Sequence, residues 1–176
     1  RQRLGLPVIV MIFEPQPLEL FAVGGAPARL TCLRDKAKYL AQTGVDYLLC
    51  VKFEPRFAAR SAQRFIVELL VEKLDVKFLM VGDDFRFGAE RQGDFSLLQQ
   101  AGEKYGFQVV GTPSFLEGDQ RISSTAIRNA LRDDDLSLAE RLLGHPYSLS
   151  GRVVHGDELG RTMGFPTANL PQIGRA

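Results

Sequence analysis

Net charge, cysteine, histidine and long apolar runs are all scarce in this sequence. Its 22 basic and 21 acidic side chains leave a formal net charge of +1. No overall field therefore draws the chain to DNA, RNA or an anionic membrane, and any phosphate must be held by a few placed groups. Nucleic acid is not an expected partner. No apolar stretch approaches the roughly 18 residues that a membrane helix needs, and nothing resembles a secretion signal. The two cysteines, Cys32 and Cys50, each lie inside apolar stretches. That placement predicts buried, reduced thiols in a cytoplasmic protein and argues against a disulfide framework or a metal knuckle. A starting methionine is missing too. The chain opens on RQRLGLPVIVMIF and stops at NLPQIGRA, and it is expected to be a piece of a longer protein.

What is present is an ordinary globular composition, 45% hydrophobic and 24% charged over 176 residues, enough for one or two domains with a real core. Four short apolar runs, PVIVMIF (7–13), YLLCVKF (47–53), KFLMVG (77–82) and FQVVG (107–111), have the character of buried strands. Helical segments separate them: LRDKAKYLAQTG closing on Gly44, SAQRFIVELLVEKL opening on Ser61 as N-cap, and DFSLLQQAGEKYG. Strands alternating with helices of this length imply right-handed crossovers and a parallel sheet covered on both faces, a Rossmann-like α/β layer. Ligands in such sheets bind beyond the carboxyl ends of the strands.

The residues after each strand therefore carry the functional expectations. After the first comes EPQPLEL, whose Pro15 and Pro17 stiffen the exit and keep it from entering a helix at once. After the third comes GDDFRFGAERQGD, in which Gly82 and Gly88 bracket Asp83, Asp84, Phe85, Arg86 and Phe87. Two phenylalanines in one loop suit contact with a planar ring, or else fold back onto the core. The two aspartates either accept hydrogen bonds from ribose hydroxyls or an amide-bearing ring, or one of them caps the turn.

The densest polar cluster is RISSTAIRNAL (121–131), placed directly after the fourth strand at the start of a helix. A helix N-terminus offers unpaired amide donors and a partial positive charge. Ser123, Ser124 and Thr125 add hydroxyls, and Arg128 stands one turn on from Ser124. A helix needs only one N-cap hydroxyl, so three beside an arginine point to an oligophosphate.

At these residues a family resemblance appears. ISSTAIR matches the ISSTxxR signature of adenylyl-transferring nucleotidyltransferases. Together with FEPQPLELF, GVDYLLCVKF, VGDDFRFG and LLGHPYSLSGRVVHGDELGRTMGFPTANL, it makes the chain similar, over essentially its whole length, to the prokaryotic bifunctional riboflavin kinase/FAD synthetases. The resemblance implies an α/β fold: a Rossmann-like nucleotidyltransferase with a parallel sheet over residues 1–146, followed from 147 to 176 by the beginning of a β-barrel kinase. It implies that the first module joins ATP and FMN into FAD and pyrophosphate, and that the second phosphorylates riboflavin to FMN. Arg128 and the helix N-terminus would then stabilise the leaving pyrophosphate. The PTAN turn would gather ATP phosphates and Mg²⁺, with Thr167 and Asn169 at the ligand positions. Read without the family, PTAN is an ordinary turn signal. Small molecules are the implied partners, the cytoplasm the implied compartment, and oligomeric state stays open.

The sequence also departs from the family. The HxGH turn whose histidines serve the transferring phosphoryl group has no counterpart, since His145 and His155 both lie downstream in GHPY and VHGD. The kinase general-base glutamate is absent as well. These departures predict that the 176-residue chain alone makes no FAD and melts below a full-length homologue. They also keep open a second reading, a non-catalytic flavin- or nucleotide-binding module.

Overall fold

A computed structural model describes residues 4–22, 24–82, 84–156, 159–165, 167, 169 and 170. It is a mixed α/β chain. All four expected strands form, as β1 (Ile9–Glu14), β2 (Tyr47–Lys52), β3 (Phe78–Gly82) and β4 (Gln108–Thr112). β3 and β4 run parallel in register, Phe78 opposite Gln108 and Gly82 opposite Thr112. β1 pairs with β2, also parallel: the Val8 carbonyl accepts from the Asp46 and Tyr47 amides, and six residues on the Glu14 carbonyl accepts from Phe53 N–H.

The expected single sheet, covered on both faces, is not what these strands make. Among the described residues β1–β2 and β3–β4 are separate two-stranded ladders. A strand with one neighbour and little packed over it leaves side chains in water, and Tyr47 is 62% and Met80 57% exposed. The thiols follow suit. Cys50, on β2, is exposed and Cys32 is half-buried, and neither is in a disulfide, so the expectation of buried thiols fails although that of unpaired ones holds.

Between β1 and β2 stand α1 (Pro17–Phe21) and α2 (Leu33–Gln42). Contrary to expectation, a helix does start close behind β1. Pro17 occupies its first position, where a missing N–H costs nothing, and the Glu19 carboxylate accepts from the Gln16 amide at 3.0 Å. α2 ends at Thr43, with Gly44 following at φ +82°. Between β2 and β3 lie α3 (Pro55–Ala58) and α4 (Ala62–Arg64), the latter running on as a π-helix over Phe65–Lys73. Ser61 caps α4 as expected, its hydroxyl accepting from Arg64 N–H at 3.2 Å. α5 (Phe95–Tyr105) joins β3 to β4, capped by the Asp94 carboxylate on Leu97 N–H (2.8 Å) and closed by Gly106 at φ +79°.

An antiparallel hairpin unanticipated in the sequence, β5 (Leu116–Glu117) and β6 (Gln120–Arg121), separates β4 from α6 (Ser124–Arg132). The serine cluster thus follows a hairpin and not the fourth strand directly. α7 (Leu136–Leu143) returns after a tight acidic turn in which the Asp135 carboxylate caps Leu138 N–H at 2.8 Å.

The chain divides into two compact units. One comprises 1–12, 25–50 and 122–176, the other 13–24 and 51–121. In the first, α6 and α7 each bury residues three apart, Ile127 and Ala130, then Ala139 and Leu142, as one helical stripe requires. In the second, the core is Phe65, Ile66, Leu70, Phe87, Leu98 and Phe107.

Beyond Tyr147, where the beginning of a β-barrel is expected, no strand forms among the described residues. There is one antiparallel bridge, Val154 to Asn169, and a one-turn helix, α8 (Leu159–Thr162). A strand is not stable without a neighbour to pair along its length. No helix among the described residues is long and apolar enough to cross a membrane.

Candidate functional sites

The serine turn in the first unit is built by a cap. Ser123 is extended (φ −154°, ψ 156°) and its hydroxyl accepts from Ala126 N–H at 3.1 Å, satisfying one of the helix's unpaired donors. One of the three hydroxyls is therefore committed to the fold. Ser124 and Thr125, in the first turn proper, are exposed.

Arg128, half-buried one turn later, donates through Nε to the carbonyl of Ala28 at 2.7 Å. This contact orients the guanidinium and leaves its two terminal nitrogens without a protein acceptor among the described residues. The result is a planar fork of donors beside a helix N-terminus, suited to an anion with several oxygens. Sequence reasoning passed over Ala28. The only hint was the turn-rich GGAPAR (24–29), which cannot reveal which arginine a main-chain carbonyl will take.

The second unit holds the GDDFRFG loop. Phe87 folds back into the core, 7% exposed, against Phe65 at 5.1 Å between centroids. Phe85 is half-buried and stacks on Phe87 at 5.5 Å with an interplanar angle of 16°. The two phenylalanines thus have different places, one internal and one half-buried. Asp84 pairs with Arg121 at 3.2 Å, tying the loop to β6, a pairing without any local mark in the sequence. Arg86 is exposed and donates to the Phe85 carbonyl at 3.0 Å. Gly82 ends β3, and Gly88 at φ +74° starts a 3₁₀ turn over Ala89–Arg91. A Cβ on Gly88 would lie 2.6 Å from the Ala62 nitrogen, so only glycine fits against the start of α4. Asp83 lies outside the described residues.

Phe65 and Phe87 end a row of rings that continues through Phe57 to Phe13 and Phe53, each neighbouring pair 5.1 to 6.5 Å apart. Arg60 sits over the Phe57 ring at 5.2 Å. It also shares Glu68 with Arg64, at 3.4 and 2.7 Å respectively. The hydrogen bond from Arg64, aided by the nearby Arg60 charge, holds the Glu68 carboxyl below its ordinary range.

In the first unit again, one face of α2 meets the stretch after α7. Tyr39 stacks on His145 at 4.2 Å, and its hydroxyl bonds the Ser148 hydroxyl at 3.2 Å. The Asp35 carboxylate, 8% exposed, accepts from the Cys32 thiol at 3.1 Å and from Ser150; both bonds lower its pKa. His145 donates from Nδ1 to the Pro146 carbonyl at 2.9 Å. Its ring is engaged in packing.

Thr167 and Asn169 are exposed, while their neighbours Pro166 and Ala168 lie outside the described residues. The Asn169 carbonyl accepts from Val154 N–H at 2.9 Å, and its amide lies so close over Gly156 that a Cβ there would collide with it. Two neutral oxygen donors have the hardness Mg²⁺ prefers but carry no charge, so a cation here would lean on nucleotide phosphates. Among the described residues no group of three or more His, Cys, Asp or Glu is placed to hold a metal.

Against this geometry stand the comparisons with known proteins. The FAD synthetase family model matches residues 1–126, and the riboflavin kinase family model matches 143–175. The bifunctional riboflavin kinase/FMN adenylyltransferase of Escherichia coli K12 is 68% identical over 97% of this chain and 54% of its own length. Its counterpart in Haemophilus influenzae is 55% identical over 95% of this chain and 54% of its own. The chain thus spans about half the length of these curated relatives. A crystal structure named as a macrolide-efflux protein of Streptococcus pneumoniae superposes with a TM-score of 0.76 at 30% identity, over 97% of this chain and 55% of that one.

Proposed function

Because the chain belongs to the FAD synthetase family, we propose that its protein transfers an adenylyl group from ATP to FMN. An FMN phosphate oxygen attacks the α-phosphorus of ATP, the bond from that phosphorus to the β-phosphate's bridging oxygen breaks, and pyrophosphate leaves; no electron changes hands. The observation that carries this reading is the ISSTAIR turn. One serine is spent on the cap, two further hydroxyl residues are exposed, and an arginine is aimed by a main-chain carbonyl. Such a turn stabilises the charge growing on the departing pyrophosphate by fixed donors and moves no proton. The loop Gly82–Gly88 takes a planar ring, flavin or adenine, on the open side of Phe85.

The proposal extends to two modules. Residues 1–146 act as a Rossmann-like adenylyltransferase, and 147–176 as the start of a β-barrel that phosphorylates riboflavin with ATP. Thr167 and Asn169 would hold Mg²⁺ there, and the ion would supply charge neutralisation at the phosphates. Small molecules are the partners, without nucleic acid or membrane, and the cytoplasm is the compartment. A net charge of +1 fits partners held by local groups.

The alternative, a binding module without catalysis, draws on the position of both histidines downstream of the phosphate turn and on the packing role of His145. Calorimetric titration of ATP into wild type and a Ser124→Ala/Thr125→Ala variant tests the shared premise. Weaker binding by the variant is expected, and equal affinity would remove the turn from the site. FAD formation by the full-length protein then separates enzyme from binder.

A further inference from the structure

Gly93 lies directly opposite Phe87 across a short bridge. Phe87 N–H donates to the Gly93 carbonyl at 3.0 Å, and Gly93 N–H donates back at 2.8 Å. The Phe87 ring folds over the Gly93 α-carbon so closely that a Cβ there would sit 2.6 to 2.7 Å from three ring carbons. A flexible side chain would step aside from such a contact, but this ring is hemmed in. On one side is Phe65, 6% exposed at 5.1 Å; on the other is Phe85, stacked at 5.5 Å. The main chain beneath is pinned as well, by Ala89 N–H donating to the Arg60 carbonyl at 2.7 Å and by the close approach of Gly88 to Ala62. Close packing passes such a displacement on instead of absorbing it. Of the two neighbours, only the half-buried Phe85 has room to move.

We propose that Gly93 is a positioning residue. By lacking a side chain it lets Phe87 lie flat beneath Phe85, and so it holds Phe85 as a platform for the fused aromatic ring of a substrate. This rests on the reading that the loop takes a planar ring. Gly93 touches no substrate itself and acts through two phenylalanines. A glycine here is required by a ring packed on its α-carbon, a reason the GAERQGD spacing does not display.

The test is a double-mutant cycle on the chain, with FMN and ATP as separate probes, each followed by calorimetry and FMN also by quenching of its fluorescence on stacking. Phe85→Ala is expected to weaken one of the two probes and so name the ring that the loop takes. Gly93→Ala is expected to weaken the same probe by about three- to tenfold, the size of one lost ring–ring contact. In a Phe85→Ala background it should cost nothing further, because the platform it positions is gone. If Phe85→Ala leaves both affinities unchanged, the ring-binding reading fails. If Phe85→Ala weakens a probe but Gly93→Ala does not, or weakens it equally in both backgrounds, the positioning role fails while the reading survives. Should Gly93→Ala not fold, Phe87→Leu withdraws the same support from Phe85 while keeping the interior apolar. It is expected to show the same loss and the same dependence on Phe85, and an additive loss would overturn the proposal.

Discussion

Replacing Ser123, Ser124 and Thr125 one at a time by alanine separates the hydroxyl that builds the helix from those that face a ligand. Ser123 Oγ holds Ala126 N–H at 3.1 Å, and losing an N-cap of this kind costs about 1 kcal/mol. For a protein of this size that lowers the melting temperature by roughly 2–4 °C. Ser124 and Thr125 are exposed within the first turn, so their substitution should stay within about 0.5 kcal/mol. With ATP the order reverses. A ligand at a hundred times its dissociation constant adds about 2.7 kcal/mol of stability. Removing one hydrogen bond to a charged phosphate takes back about 1.5–3 kcal/mol of binding, so the ATP-induced shift should be cut by half or more. The assay is thermal unfolding of all four proteins with and without saturating ATP. If Ser124→Ala and Thr125→Ala melt as low as Ser123→Ala without nucleotide and keep the whole ATP-induced shift, all three hydroxyls only build the helix and none of them holds ATP.

Arg128→Ala in the full-length protein should slow FAD formation by roughly 10²-fold. Arg128→Lys should not restore it, because lysine cannot spend one donor on Ala28 and present two more in a plane; lysine at the wild-type rate would contradict the oriented fork. Glu68, held below its ordinary value near 4.5 by Arg64 and Arg60, contributes stability that is present above that value and lost as pH falls through the lower folded one. Melting temperature should therefore drop more steeply below about pH 4.5 in wild type than in Glu68→Gln, and parallel profiles would show the pairs to be inert. Thr167→Ala in the full-length protein should impair riboflavin phosphorylation and spare adenylylation of supplied FMN. Equal loss of both activities would overturn the division near residue 147.

Much of this molecule was legible from its sequence because short-range rules govern those parts. The four strands fall within a residue or two of the apolar runs, and Ser61 caps where its position before the helix says it should. The helix after Ile122 begins at the predicted serine cluster. What escaped is set by partners distant in the chain. Arg128 is aimed by Ala28, one hundred residues away, and Asp84 is paired with Arg121, thirty-seven away. Neither pairing leaves a mark on local pattern. The split into two ladders escaped for a similar reason, since an apolar run shows that a strand forms and not which neighbour it finds. Pro17 is ambiguous in the sequence because proline both ends strands and opens helices, and here it opens α1. Beyond Tyr147 a barrel's beginning is not legible as strands because a strand needs a partner along its length, and the described residues there share one bridge.

The fate of the α-phosphate separates adenylyl transfer from every other use of ATP. Full-length protein is incubated with FMN, Mg²⁺ and ATP labelled at the α-phosphorus, and the flavin products are separated and counted. The label is expected in FAD, one atom for each pyrophosphate released. An FAD fraction without label, or none formed while FMN and ATP are both bound, would contradict it.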